Sequence, residues 1–168
     1  MKIEKILVPL DGSSLAESAI AKATEMTPPG RATLVLMRAA EPFPGVSPSD
    51  AQIDLIREAE TYLAGVAARL AQQGYTRVET SVWYGPAAEA IVDAARKVDV
   101  IVMTTHGRGG LSRLILGSVA ESVLRGTTTP ILLLRALEAP VEAPKGQARP
   151  AKEPSRSIDP LDRLPSKL

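Results

Sequence analysis

Two patterns of apolar residues alternate along the first 135 positions of the chain. Short apolar stretches predict β-strands, and longer stretches with apolar residues three and four positions apart predict α-helices. The predicted strands cover residues 3–9, 32–37, 78–84, 98–103 and 131–134. Helices are predicted from Ser13 or Ser14 to the turn at 28–30, and over residues 50–73, 87–97 and 117–125.

The strict alternation of strands and helices defines the fold class. Most of the strands are apolar on both sides, which is typical of a parallel sheet covered by helices on both faces. We therefore predict an α/β protein, with a five-stranded parallel sheet sandwiched by helices in a Rossmann-like arrangement. Ligands of such sheets bind beyond the carboxyl ends of the strands, where the strand order changes direction. The ligand site is therefore predicted at Asp11, after the first strand, and in the segment 104–117, after the fourth.

The composition changes near residue 137. Residues 138–168 contain six prolines, no aromatic residue and no apolar periodicity. Such a segment buries too little apolar surface to offset the entropy lost on ordering. We therefore predict a folded domain over residues 1–137 and a disordered, proline-rich tail over 138–168. A docking arm for a partner protein is the alternative role of this tail.

Charge and residue usage narrow the classes of function. A net charge of +1 gives no electrostatic reason to expect nucleic acid or an anionic membrane as a partner. The absence of cysteine excludes disulfides, thiolate catalysis and cysteine-bound metals. The chain has no apolar stretch of the roughly 18–20 residues that a membrane helix needs, and its first ten residues lack the layout of a signal peptide. We expect a cytoplasmic protein.

The segment 104–118 combines the features of a phosphate site. Flexible glycines and fixed positive charges follow the fourth strand, at Gly107, Arg108, Gly109, Gly110 and Arg113. Gly117 and Ser118 stand where a helix begins, and a helix N-terminus favours an anion. The alternative is that the glycines only loosen a loop and the arginines are solvated. No G-x-x-x-x-G-K-[ST] string occurs and no G-x-G-x-x-G follows the first strand, so the P-loop and dinucleotide patterns are excluded.

Four motifs, in order, resemble those of the universal stress protein family. They are Ile6-Leu7-Val8-Pro9-Leu10-Asp11-Gly12-Ser13, Gly85-Pro86-Ala87-Ala88-Glu89-Ala90-Ile91, the segment 104–121, and Thr129-Pro130-Ile131-Leu132-Leu133-Leu134-Arg135. The resemblance covers residues 1–136 and leaves the tail outside. It implies the fold of that family, which is similar to that of the adenine nucleotide α-hydrolases, and a role as an ATP-binding regulatory or stress-response factor.

The ATP-binding branch of that family carries the pattern G-x-x-G-x9-G-[ST]. Gly107, Gly117 and Ser118 match it, whereas Thr104 occupies the position of the first glycine, where a side chain would crowd a ligand packed against bare backbone. The resemblance implies that Asp11 lies near the ribose and near any Mg²⁺ carried by the phosphates. The residues implied to contact ATP are Pro9, Leu10, Asp11, Ala39, Met103, Thr104, Gly107, Arg108, Gly117, Ser118 and Val119, with Ala39 and Met103 lining the adenine pocket.

Three hypotheses of function remain open at this point. The first is a nucleotide-binding regulatory protein, and the second is a protein-interaction module of the same fold in which Thr104 has abolished binding. The third is a slow ATPase or phosphotransferase. Phosphoryl transfer needs metal ligands, a positioned nucleophile and groups that stabilise charge on the γ-phosphate, and Asp11 and two arginines supply few of these. Enzymatic turnover beyond weak ATP hydrolysis is therefore not expected. Asp11 has a purely structural alternative as a turn or capping residue, and His106, the only histidine, is expected to be a loop residue.

The last predicted strand points to self-association. Residues Ile131, Leu132, Leu133 and Leu134 form an apolar strand that is last in sequence and is therefore expected at a sheet edge. Exposed apolar edges favour pairing with another chain, and a two-fold dimer is the commonest closed solution. The family resemblance implies the same homodimer. Trp83 and Tyr84, which end the third strand, are expected to pack into the core.

Overall fold

The computed structural model of this protein describes residues 2–41, 48–105 and 116–135. These residues form nine elements in strict alternation. They are β1 (Lys5–Pro9), α1 (Ser14–Met26), β2 (Thr33–Ala40), α2 (Pro48–Gln72), β3 (Val78–Tyr84), α3 (Ala87–Ala95), β4 (Val100–Thr104), α4 (Ser118–Gly126) and β5 (Ile131–Leu134). The predicted α/β class is confirmed. The predicted tail, 138–168, lies outside the described residues.

The five strands form one parallel sheet in the order β3-β2-β1-β4-β5. The chain leaves β1 towards one edge through β2 and β3, and then returns beside β1 to build β4 and β5. The order therefore changes direction between β1 and β4. β5 lies at a sheet edge as predicted, and β3 forms the other edge.

Helices cover both faces of the sheet, as predicted, and two apolar cores result. Alternate strand residues, among them Ile6, Leu34 and Val102, pack with α1 and α2. The intervening residues, among them Leu7 and Ile101, pack with α3 and α4. Successive strand residues point to opposite faces, so a residue's position along its strand decides which of these two cores it faces.

Hydrogen bonds at the amino end of the sheet explain where β4 begins. The Asp99 carboxylate accepts from the backbone N–H groups of Glu4 at 2.7 Å and Lys5 at 2.8 Å, and the Asp99 N–H donates to the Lys5 carbonyl at 3.0 Å. Asp99 therefore belongs to the turn before the strand, and β4 starts at Val100 and not at the predicted residue 98. The same two N–H groups lower the pKa of Asp99, that of Glu4 contributing most.

The expectation that Trp83 and Tyr84 pack into the core is wrong. They are 39% and 36% exposed, respectively. β3 has a neighbouring strand on one side only, and its contacts with helices come mainly from α2. Its residues on the α3 face, Trp83 among them, are therefore left in contact with solvent, whereas Tyr84 is exposed on the α2 face, as the last residue of the strand. Within the described ranges, no helix is both long and apolar enough to cross a bilayer.

Candidate functional site

The crevice in which α/β sheets bind their ligands is expected at the carboxyl ends of β1 and β4, where the strand order reverses. Backbone pairing between these strands covers only Ile6 with Val100 and Leu7 with Ile101. In contrast, β1 pairs with β2 as far as Pro9, and β4 pairs with β5 as far as Thr104. The β1–β4 ladder thus ends before the carboxyl ends of the two strands, and Pro9, which has no N–H, cannot extend it.

Asp11 follows β1 at one side of this crevice and shapes the turn into α1. The Ser13 N–H and hydroxyl both donate to Asp11 Oδ1, at 2.9 Å and 2.6 Å, and Gly12 between them adopts a φ of +86°. Ser13 Oγ in turn accepts from the Ala16 N–H at 3.1 Å. Of the two serines predicted to begin the helix, Ser13 is therefore the N-cap of α1, and Asp11 holds the capping side chain instead of capping the helix itself.

The amino end of α4 is fixed at the other side of the crevice. The Thr105 N–H donates to the Leu134 carbonyl and the Gly117 N–H to the Thr105 carbonyl, both at 2.8 Å. Gly117 is the N-cap, with φ −61° and ψ 147°, and has no side chain with which to accept from the first-turn amides. Because these amides carry the positive end of the helix dipole, they favour an anion at Ser118 and Val119.

The predicted pocket residues divide between the two faces of the sheet. Ala39 and Met103 share the α3 and α4 face, where Met103 is 6% exposed. Thr104, 7% exposed, follows Val102 by two positions and pairs with Leu134, both of which face α1 and α2. The Thr104 side chain is therefore buried on the opposite face from Met103.

Nine of the eleven predicted contact residues lie within the described ranges, and all nine stand at the carboxyl edge of the sheet or at the start of α4. Leu10 extends the β1 ladder through an N–H bond to the Met37 carbonyl at 2.7 Å. Gly107 and Arg108 lie outside the described residues. So do His106 and the loop residues Gly109, Gly110 and Arg113.

A polar network beside Asp11 is absent from the sequence-based prediction. The Tyr62 hydroxyl donates to Glu17 at 2.9 Å, and Arg69 contacts the other Glu17 oxygen at 2.6 Å. Arg38, at the end of β2, stacks 4.9 Å above the Tyr62 ring and binds Glu58 at 2.9 Å. Burial is the main cause that raises the pKa of Tyr62, followed by its bond to Glu17. The only sequence signal was a tyrosine within the apolar stripe of α2.

Metal-binding groups are sparse in the described part of the chain. Residues 2–41, 48–105 and 116–135 contain no cluster of three or more histidine, aspartate or glutamate side chains arranged to hold a metal.

Comparison with known proteins identifies the family. The model of the universal stress protein family matches residues 2–135. The chain belongs to the universal stress protein family. A universal stress protein of Methanocaldococcus jannaschii is 31% identical over 141 residues, which cover 79% of this chain and 82% of that protein. One from Thermus aquaticus is 35% identical over 133 residues, covering 77% and 97%.

Solved universal stress proteins share the fold. A universal stress protein in complex with cAMP superimposes with a TM-score of 0.62 at 23% identity, covering 80% of this chain and 98% of that one. A family member from Arabidopsis thaliana with AMP bound gives a TM-score of 0.59 at 14% identity, covering 79% and 91%. The predicted fold and family are thus confirmed for this universal stress protein.

Proposed function

We propose that this universal stress protein binds an adenine nucleotide, ATP foremost, in the crevice between β1 and β4, and acts as a nucleotide-dependent regulatory factor in the stress response. The observation that carries the proposal is the reversal of strand order between β1 and β4, where the Gly117 N–H binds the glycine-capped start of α4 to the end of β4. Two family members of the same fold are complexes with cAMP and AMP, which supports an adenine nucleotide as the ligand.

Each side of the crevice suits a different part of the nucleotide. The first amides of α4 and the Ser118 hydroxyl would bind phosphate oxygens, which match their donor groups. Asp11 would accept from the ribose hydroxyls or share a phosphate-bound Mg²⁺. Ala39 and Met103 would contact the adenine ring on the α3 and α4 face, while Pro9 and Leu10 shape the floor. The family resemblance gives Gly107 and Arg108 to the phosphates as well.

The test is direct binding of nucleotides to the full chain. Nucleotide released by denaturing the purified protein is identified by chromatography, and ATP, ADP, AMP and GTP are titrated by calorimetry with and without Mg²⁺. We expect saturable binding of the adenine nucleotides. Absence of any bound nucleotide, together with no affinity up to millimolar concentrations, would overturn the proposal and favour the interaction module.

A charge-neutral variant tests the role of Asp11. In Asp11→Asn the side-chain oxygen still accepts from Ser13, so the turn is kept while the negative charge is lost. We expect ATP affinity in Mg²⁺ to fall about ten- to a hundredfold, because hydrogen bonds to a charged group contribute about 1.5–3 kcal/mol. Asp93→Asn, an exposed carboxylate of α3, is the control and should bind as the wild type does. Equal affinities of the two variants would remove Asp11 from the site.

We also propose a homodimer through β5. The carbonyls of Pro130 and Leu134 accept from β4, so the backbone groups of the intervening Ile131 and Leu133 point away from the sheet. An apolar edge with outward donors and acceptors is suited to pair with a two-fold copy of itself. This arrangement would extend the sheet across both protomers.

A further inference from the structure

Trp83 lies beside the base end of the proposed nucleotide site. It pairs with Ala39 in the β2–β3 register, and directly paired residues of neighbouring strands share a face. That face is the one on which Met37 and Met103 pack against α3 and α4. On this face α3 contacts β2 but does not cover β3. Glu79, Ser81 and Trp83 of β3 are therefore all exposed. Trp83 thus lies on the same face as Ala39, one strand farther from the crevice, and is open to solvent.

The indole is directed towards the carboxyl edge of the sheet. Trp83 Nε1 lies 3.4 Å from the point where a Cβ on Gly85 would stand. Gly85 has a φ of +130° and its N–H donates to the Ala40 carbonyl at 3.2 Å, so the turn is bound to the end of β2. The ring therefore lies against this turn, at the carboxyl edge of the sheet.

We propose that Trp83 forms the outer wall of the base pocket and contacts the adenine ring, an inference that rests on the proposed function. A large aromatic side chain that remains 39% exposed has surface to bury against a flat apolar ligand. A nucleobase is such a ligand, whereas a phosphate is not. The strand order leaves room for a base and phosphates side by side, since β3 and β4 are three strand spacings apart, about 14 Å. The base then lies over Ala39, between Met103 and Trp83, and the phosphates lie at α4.

The only tryptophan of the chain makes this contact measurable. Fluorescence excited at wavelengths that nucleotides do not absorb is recorded during titration of ATP, AMP, adenosine and tripolyphosphate. We expect the adenine compounds to change the emission, because the ring contacts the indole. Tripolyphosphate, which lacks a base, should bind without that change or not bind at all.

Two variants at the end of β3 separate base contact from general effects. Trp83→Leu removes the aromatic face, and we expect calorimetry to give an ATP affinity about tenfold weaker, as is typical for loss of one aromatic–base contact. Trp83→Phe should recover most of that loss. Tyr84→Leu is the matched control, since Tyr84 is 36% exposed but lies on the α2 face, and it should leave affinity unchanged. Circular dichroism verifies that each variant is folded.

The outcomes distinguish this inference from the one on which it rests. If ATP binding changes the fluorescence, and the affinity is weaker in Trp83→Leu but not in Tyr84→Leu, Trp83 is supported as the outer wall of the base pocket. ATP binding with constant emission and equal affinity in Trp83→Leu overturns the wall and leaves the proposed function standing. No binding of any adenine compound by the wild type overturns both.

Discussion

Two helical glycines of this universal stress protein should respond in opposite directions to the same substitution, alanine. Gly126 is the last residue of α4 and faces α3. A Cβ there would stand 2.7 Å from Val92 Cγ2 and 3.5 Å from Cγ1. Gly65 lies in the interior of α2, exposed, and a Cβ there would meet no heavy atom within 4 Å. The two positions therefore isolate packing from helix propensity.

The magnitude follows from what each Cβ meets. At Gly65, alanine should stabilise the fold by about 0.5–1 kcal/mol, since it lowers the entropy lost on helix formation. At Gly126, the same gain is opposed by overpacking, which costs about 1–3 kcal/mol. Val92 is β-branched and strongly prefers a single rotamer in a helix, so its methyl groups do not swing aside cheaply. We expect a net destabilisation of about 1–2 kcal/mol for Gly126→Ala.

Urea unfolding monitored by circular dichroism measures both effects, with the free energy of unfolding taken from the midpoint and a common slope. A double-mutant cycle with Val92→Ala identifies the cause. In the Val92→Ala background the clash is gone, and Gly126→Ala should become neutral or stabilising. If Gly126→Ala destabilises the protein equally in both backgrounds, the contact with Val92 is not the reason and the argument fails.

Two further predictions concern Asp99, at the amino end of the sheet, and β5, at its edge. Asp99→Asn should destabilise the protein at pH 7, and this loss of stability should shrink as the pH falls below about 4, the ordinary range of an aspartate. The reason is that a carboxyl whose pKa is lowered in the folded state stabilises the fold only while it is ionised. Urea midpoints at pH 7 and pH 3 measure the loss, and an equal loss at both pH values would contradict the prediction. Leu133→Pro should convert the proposed β5 dimer to a monomer in light scattering, because it removes an outward N–H, whereas Leu133→Ala keeps that group and should remain dimeric; dimers from both variants would place the interface elsewhere.

Apolar periodicity was enough to predict the type and order of the nine elements in the described part of the chain. Strands that lie between two helix layers are apolar on both sides, and this signal is local in the sequence. Strand order is not local, since it depends on the path of each crossover, and the sequence placed only β5 at an edge. The position of β3 at the other edge explains why Trp83 was wrongly expected in the core. An aromatic residue at a strand end is compatible with either environment until its neighbours are known.

The candidate site divides in the same way. Asp11 and Gly117 were predicted together because parallel strands bring their carboxyl ends to one edge of the sheet. The network of Arg38, Tyr62 and Glu17 was missed because it joins three elements whose spacing in sequence carries no signal. The structure also shows that the Asp11 carboxylate orients Ser13, so the turn role and the proposed ligand role of Asp11 are compatible. The two interpretations set against each other from the sequence therefore do not compete.

The burial of Thr104 changes the significance of finding a threonine in place of the first glycine of the ATP-binding motif. From the motif alone, a threonine in place of glycine places a side chain in the path of a ligand. In the structure that side chain is 7% exposed and occupies the α1 and α2 face, with Val102 and Leu134, whereas Ala39 and Met103 face the other way. A base seated on Ala39 and Met103 is thus separated from the Thr104 methyl group by the strand itself. The departure from the motif therefore affects the backbone freedom at the end of β4 more than the space in the proposed adenine pocket.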